Sequence, residues 1–406
     1  MNIIVGDSLD IAVYLRETGA MGRGTRSLIV APLLALPALG AGAADDIGNT
    51  EMALADAFRA GRFHAELRPR YNRIDEDDKP LRTEGFTSRA VLGWRSAPYR
   101  GLRLTIEGLH TGPLGAKRFN DDGAQIASSP YPLLPDPRYT GWNQVHAEYT
   151  GIDSLRLRLG RQQLRIDNER WVSDNDFRQV PQLFDGVRAV YTGVANAELD
   201  AGYFTHMRTT SGMTRELRLA TLRAAWNPLP GHSLGAYGVF HDQAQNGAFT
   251  GFADNSYRVL GVRAEGAFAA GPVDVPYVLE AAQQRPYAGG DSRVHAVYVR
   301  AGAGVSTSQF TVRYDYEVKG SNRGQYGLQM PLTDFYAFNG WTLHFFNTPR
   351  QGLRDGWITA RHRWNAFTLY AEGHRFRSDF GGIDFGREVD AGLTYAWHEN
   401  VVVRLQ

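Results

Sequence analysis

Arginine at every second position is the chemistry-bearing pattern in this chain. Residues 155–159 read Leu-Arg-Leu-Arg-Leu, so Arg156 and Arg158 share one face of an extended segment while Leu155, Leu157 and Leu159 share the other. The same alternation groups Arg103 with Glu107, Arg313 with Asp315 and Glu317, and Arg361 with Arg363, and it sets Arg188 against Val187 and Ala189. A guanidinium stays charged at any physiological pH and grips carboxylate or phosphate through two parallel hydrogen bonds. A ring of such groups attracts anions and slows cations, and neighbouring carboxylates such as Glu107 and Asp315 keep binding weak enough for release. The competing reading is that these charges pair across adjacent strands and only stiffen a wall. Among 44 basic residues only Lys79, Lys117 and Lys319 are lysines. That bias suits anion handling, although a GC-rich genome produces it too.

A second set lies on the polar loop between Leu155–Gln163 and Gly186–Thr192. It comprises Arg165, Trp171, the Asp174/Asp176 pair, Phe177 and Arg178, and Gly160-Arg161-Gln162-Gln163 leads into it from the lumen face. We expect this loop to fold inward and narrow a passage, with Arg161 among the solute-contacting arginines; an outer cap held by its own contacts is the alternative. Catalytic chemistry finds no support. There is no G-x-S-x-G, no H-E-x-x-H and no convincing nucleophile–base set, and the histidines are scattered without metal spacing. No catalytic residue, metal or cofactor is expected. The acidic run Asp75-Glu76-Asp77-Asp78 reads as a solvated loop, with divalent-cation binding near lipopolysaccharide as the alternative.

Positioning those residues requires strands. Net charge is +1, which argues against nucleic acid as a partner, and the absence of cysteine excludes disulfides and thiolate metal sites. No apolar run reaches the roughly 18 residues of a membrane helix, but a barrel whose lumen face is polar needs none. Residues 21–43 read as a secretory signal: Met21, a basic start with Arg23 and Arg26, an apolar stretch from Leu28 to Leu39, and Ala41-Gly42-Ala43 as a cleavage site. Residues 1–20 then read as a non-native upstream extension, and 44–61 as a periplasmic segment containing a short helix. From Arg62 to Gln406 the chain breaks into seventeen alternating segments, with short connections and longer polar loops in alternation. This sorting by parity predicts an all-β fold, a transmembrane antiparallel up-and-down β-barrel over residues 62–406. Single-chain barrels of bacteria have even strand numbers, so about 18 strands are expected, with a C-terminal strand missing beyond Val401–Gln406. Trp94, Tyr149, Tyr191, Trp226 and Trp397 read as girdle residues at the membrane interfaces.

Two stretches carry a resemblance. LGRQQLRIDNERWVSDNDFRQVPQLFDGVRAVYTG, from Leu159 to Gly193, looks like the central signature of the alginate-export outer-membrane family. TDFYAFNGWTLHFFNTPRQGLRDGW, from Thr333 to Trp357, is similar to that family's late long loop, with Thr333-Asp334 where relatives often carry a basic pair. The resemblance implies an arginine-rich outer-membrane pore for a polyanionic uronate polymer, set among outer-membrane lipid and lipopolysaccharide and served by export partners in the periplasm. The expected function is a porin for passive diffusion or export of anionic solutes. A general or small-anion porin, a barrel enzyme acting on surface lipids or polymers, and a surface-binding protein with a plugged lumen are the alternatives.

Overall fold

In the computed structural model, residues 4–15, 53–122, 127–243, 252 and 254–406 are described. Each of the seventeen alternating segments is a strand. They are β2 (Arg62–Glu76), β3 (Thr83–Arg95), β4 (Leu102–Pro113), β5 (Tyr139–Ile152), β6 (Leu155–Gln162) and β7 (Leu183–Tyr191). There follow β8 (Ala197–Arg208), β9 (Thr214–Leu229), β10 (His232–Asp242), β11 (Tyr257–Ala270), β12 (Val273–Pro286) and β13 (Ala296–Ser306). The last are β14 (Phe310–Lys319), β15 (Leu353–Trp364), β16 (Phe367–Arg377), β17 (Asp384–His398) and β18 (Val401–Leu405). Every neighbour in sequence is an antiparallel neighbour in space, and the sheet closes on itself as an 18-stranded barrel.

The closure corrects one expectation. The eighteenth strand, expected beyond β18, is instead β1 (Ile4–Leu15), which lies between β18 and β2 and pairs with both. Closure removes the open edge whose backbone groups would be unpaired in lipid. Asp10 of β1 is buried against Arg70 of β2 at 3.0 Å. The segment read as an upstream extension therefore supplies wall. The stretch read as a signal, 21–43, lies outside the described residues, and the expected short helix is α1 (Leu54–Arg59). Its Phe58 stacks on Trp94 at 5.4 Å beside the β3–β4 turn.

Alternation decides what faces lipid. Phe63, Leu67, Leu92, Leu222 and Val389 are exposed on the outer surface, whereas Arg68, Arg70, Thr87, Arg89 and Asp390 on the same strands are buried on the inner one. A charge on the outer face at mid-depth would cost about 2–4 kcal/mol, so the arginines turn inward. Trp226 and Trp397, expected in the girdle, and Trp364 stand exposed at the rim that carries the tight turns. The parity of connection lengths is less clean than the sequence suggests. The hairpins β2–β3 and β8–β9 stay paired up to Ile74↔Thr83 and Arg208↔Thr214, so their outer loops shrink to the size of turns. Among the described residues, long connections that reach the lumen side include the inner loop between β6 and β7 and the late loop between β14 and β15, and Asp136 of the β4–β5 connection accepts from Thr87 on the inner wall.

Candidate channel constriction

Near its end strand β6 passes through Gly160, whose φ of +122° suits glycine; a Cβ there would meet the Val145 carbonyl at 2.4 Å. Beyond it the inner loop enters the barrel and is anchored on opposite walls. On one side Arg68 donates to the carbonyls of Asp176 (2.8 Å) and Arg178 (2.5 Å). Arg89 donates to Asp176 Oδ1 at 2.7 Å while its other edge holds both oxygens of Glu66 at 2.9 Å. Gln179 Nε2 donates to Thr87 Oγ1 at 3.0 Å. On the far side Trp171 Nε1 donates to Tyr237 Oη at 2.7 Å and Glu280 Oε1 at 3.0 Å. Arg170 Nε donates to Glu317 Oε1 at 2.8 Å, and its Nη2 to Asn339 Oδ1 at 2.9 Å. The loop thus spans from β2 and β3 to β10, β12 and β14.

The late loop meets it there. Asn175 Nδ2 donates to the Thr333 carbonyl at 2.7 Å, Ser173 N to the Leu332 carbonyl at 2.8 Å, and the Phe177 and Tyr336 rings stack with centroids 3.5 Å apart. The Thr333-Asp334 pair has a definite job: Asp334 Oδ1 accepts from the backbone N–H of Tyr336 (2.9 Å) and Ala337 (3.1 Å), turning the loop toward the lumen. Burial and the nearby Glu169 raise the Asp334 carboxyl to about 6. Asp174 is likewise pushed up by burial, although it accepts from Arg165 Nε at 2.7 Å. Burial works the same way on Asp176, but Arg89, Arg68 and Arg165 overcome it and hold that carboxyl below the ordinary range. Arg178 is lowered to about 10 by burial.

The expected pore-loop residues Arg165, Trp171, Asp174, Asp176 and Arg178 all lie on this lumen-crossing segment. The expected solute-contacting arginines lie elsewhere, toward the rim with the tight turns. Arg158 is paired with Glu148 (2.7 Å), Arg188 with Asp200, and Arg313 with Asp315 (2.9 Å), which also takes Arg300 (3.0 Å). Arg103 stands 4.0 Å from Glu148, and Glu107 is held by His64 (3.0 Å) and Asn143 (2.9 Å). Among the described residues Arg156, Arg361 and Arg363 form no ion pair. Arg161 departs from the expectation. It shares the outward register of Ile106 and Val145 and forms a two-bond pair with Asp185, both bonds 2.7 Å. Parity gives the reason: Leu159 faces out, so Arg161 two residues on does too.

Several residues that build the constriction carry no local mark in the sequence. Arg170 and Glu317 are 147 positions apart, and both are 1% exposed at the side chain. Arg68 and Arg89 had the same period-two signal as Arg156 and Arg158, but nothing in it announces loop contacts.

Comparisons with known proteins agree with this architecture. A search of curated proteins gives no match. Among solved structures the chain is similar to OccK9 (OpdG) of Pseudomonas aeruginosa, at TM-score 0.65 and 14% identity over 86% of this chain and 97% of that one. It is also similar to OccAB2 of Acinetobacter baumannii, at TM-score 0.64 and 14% identity over 86% and 91%. These likenesses are of fold alone. The family model for alginate export matches residues 116–338, just over half of the 406. That stretch runs from the loop before β5 through the inner loop to Phe338 of the late loop, and the chain therefore belongs to the alginate-export family of bacterial outer-membrane barrel channels.

Proposed function

We propose that this chain is a passive channel that carries anionic solutes of the uronate-polysaccharide class across the outer membrane. The observation that carries this reading is the set Arg156, Arg361 and Arg363, which face the lumen near the tight-turn rim without ion pairs among the described residues. Guanidinium groups without a carboxylate partner on a lumen wall raise the local concentration of anions. The paired arginines above them (Arg158, Arg188 and Arg313) supply a weaker field that lets an anion move on. The inner and late loops form the constriction that the solute must pass. Their close packing favours a second reading, a small-anion porin, because a polymer passes only if the loops part.

Planar-bilayer recording separates the two. The polymer channel gives current steps interrupted by added uronate oligomers, with blocks that lengthen as the oligomer lengthens, and neutral glucan oligomers of the same size give none. Steps indifferent to uronate oligomers but carried by chloride or phosphate support the small-anion porin instead. Lipid turnover without conductance would overturn both.

A further inference from the structure

We propose that Glu372, His374 and Asp390 form a binding site for one divalent cation of the zinc class on the lumen wall beneath the late loop. Glu372 and His374 share the inner face of β16, and Asp390 lies opposite Glu372 on β17. One ligand atom from each residue lies within 4.8 Å of the others. No sequence spacing marks the set, because the third member comes from the neighbouring strand.

Three observations point to a metal and away from a plain charge cluster. First, His374 Nδ1 is held by Asp355, 3.0 Å from both carboxylate oxygens. That contact orients the ring and leaves Nε2 aimed at Glu372. A carboxylate behind the imidazole is the usual outer support of a metal-bound histidine. Secondly, His374 Nε2 and Glu372 Oε2 are 3.4 Å apart. A charge-assisted hydrogen bond closes to about 2.7–2.9 Å. Two ligands about 2.1 Å from a tetrahedral ion stand about 3.4 Å from each other. Glu372 Oε1 is meanwhile occupied by Thr359 Oγ1 at 2.9 Å and by Tyr370 Oη, so Oε2, which faces only His374 Nε2, is the oxygen available to a cation. Thirdly, Asp390 is 93% buried (7% exposed), and its Oδ2 has no hydrogen-bond partner among the described residues. A buried carboxylate oxygen without a partner is costly, and a cation held with Glu372 and His374 supplies one. One imidazole and two carboxylates match zinc better than calcium or magnesium, which take oxygen ligands in larger number.

The test uses the full chain, folded in detergent, stripped with chelator and checked by its heat-modifiable electrophoretic mobility. Equilibrium dialysis against Zn2+, read by elemental analysis, is expected to give one ion per chain that excess Ca2+ or Mg2+ does not displace. Cobalt in its place should show the strong visible absorption of a tetrahedral site. Glu372→Gln and Asp390→Asn should each weaken binding at least tenfold. Asp355→Asn, which touches the back of the ring and keeps an oxygen to accept from Asn339 Nδ2, should weaken it roughly ten- to a hundredfold. These near-isosteric changes guard against loss of fold, and any variant that fails the mobility check leaves the decision to the other two. No retained zinc, or one zinc per chain with the same affinity in the folded variants, would overturn the proposal.

Discussion

At the scale of single residues, the constriction rests on arginines that hold loop backbone in place as much as on any that face open lumen. Arg170 is the strongest case. It is enclosed on all sides, bonded to Glu317 and Asn339, and its guanidinium lies 4.4 Å from the centroid of the Phe338 ring. Removing one partner of a buried pair strands the other charge, which typically costs about 3–5 kcal/mol. Arg170→Ala should therefore detach the inner loop from β14 by about that amount. Limited proteolysis of the folded barrel should show new cleavage within residues 163–182. Unchanged protection would mean that Trp171 and Arg68 hold the loop without it. Arg156, Arg361 and Arg363 are the opposite kind on the proposed reading: they form no ion pair among the described residues and would contribute field in place of support. Replacing them should alter ion selectivity while leaving resistance to heat and denaturant as it was.

At the scale of elements, the inner and late loops form a paired unit whose contact is expected to respond to pH. Asp334 has its carboxyl raised to about 6 against an ordinary 3.8, by burial and by Glu169. Asp174, beside Asp176, Glu169 and Arg165, is raised in the same direction. A carboxyl raised on docking binds its proton more tightly in the docked state, so docking is favoured at low pH. That advantage fades as pH rises from about 4 through about 6, and for Asp334 alone it amounts to about 3 kcal/mol. Asp176 has the opposite shift and loses its contribution only below pH 3.8. Acidification from pH 7.5 to 5 should therefore lower single-channel conductance or lengthen closures, and Asp334→Asn should flatten that dependence. A conductance that rises on acidification would contradict the docking account.

The strands themselves were legible in the sequence because lipid on one side and water on the other enforce a period of two. Leu155–Leu159 and Phe310–Asp315 show it in the residues alone. Their ends were less legible, since ladder hydrogen bonds continue past the apolar belt, as in β9 from Thr214 to Leu229. The direction of Arg161 was available from parity with Leu159 but was obscured by its place at the loop entrance. The contact of Arg170 with Glu317, and of His374 with Asp390, is set by barrel closure and loop return, which no local pattern encodes.

At the scale of the whole molecule, closure and selectivity are the two properties to test. Closure by β1 predicts that residues 4–15 stay with the folded protein, and that deleting them leaves β18 and β2 with unpaired edges and abolishes the heat-modifiable band. N-terminal sequencing of protein extracted from outer membrane checks the first point, and a start at Ala44 would contradict it. The proposed selectivity rests on where charge sits in the closed wall. Acidic residues such as Glu317 and Asp355 are consumed by loop anchoring and by His374, whereas the vestibule by the tight turns keeps unpaired arginines. The most direct test is the reversal potential of single channels under a tenfold KCl gradient, for the wild type and for the combined Arg156→Ser, Arg361→Ser, Arg363→Ser variant. The wild type is expected to give a potential on the chloride side that moves toward zero in the folded variant. A cation-selective wild type, or a potential unchanged by the three substitutions, would contradict it.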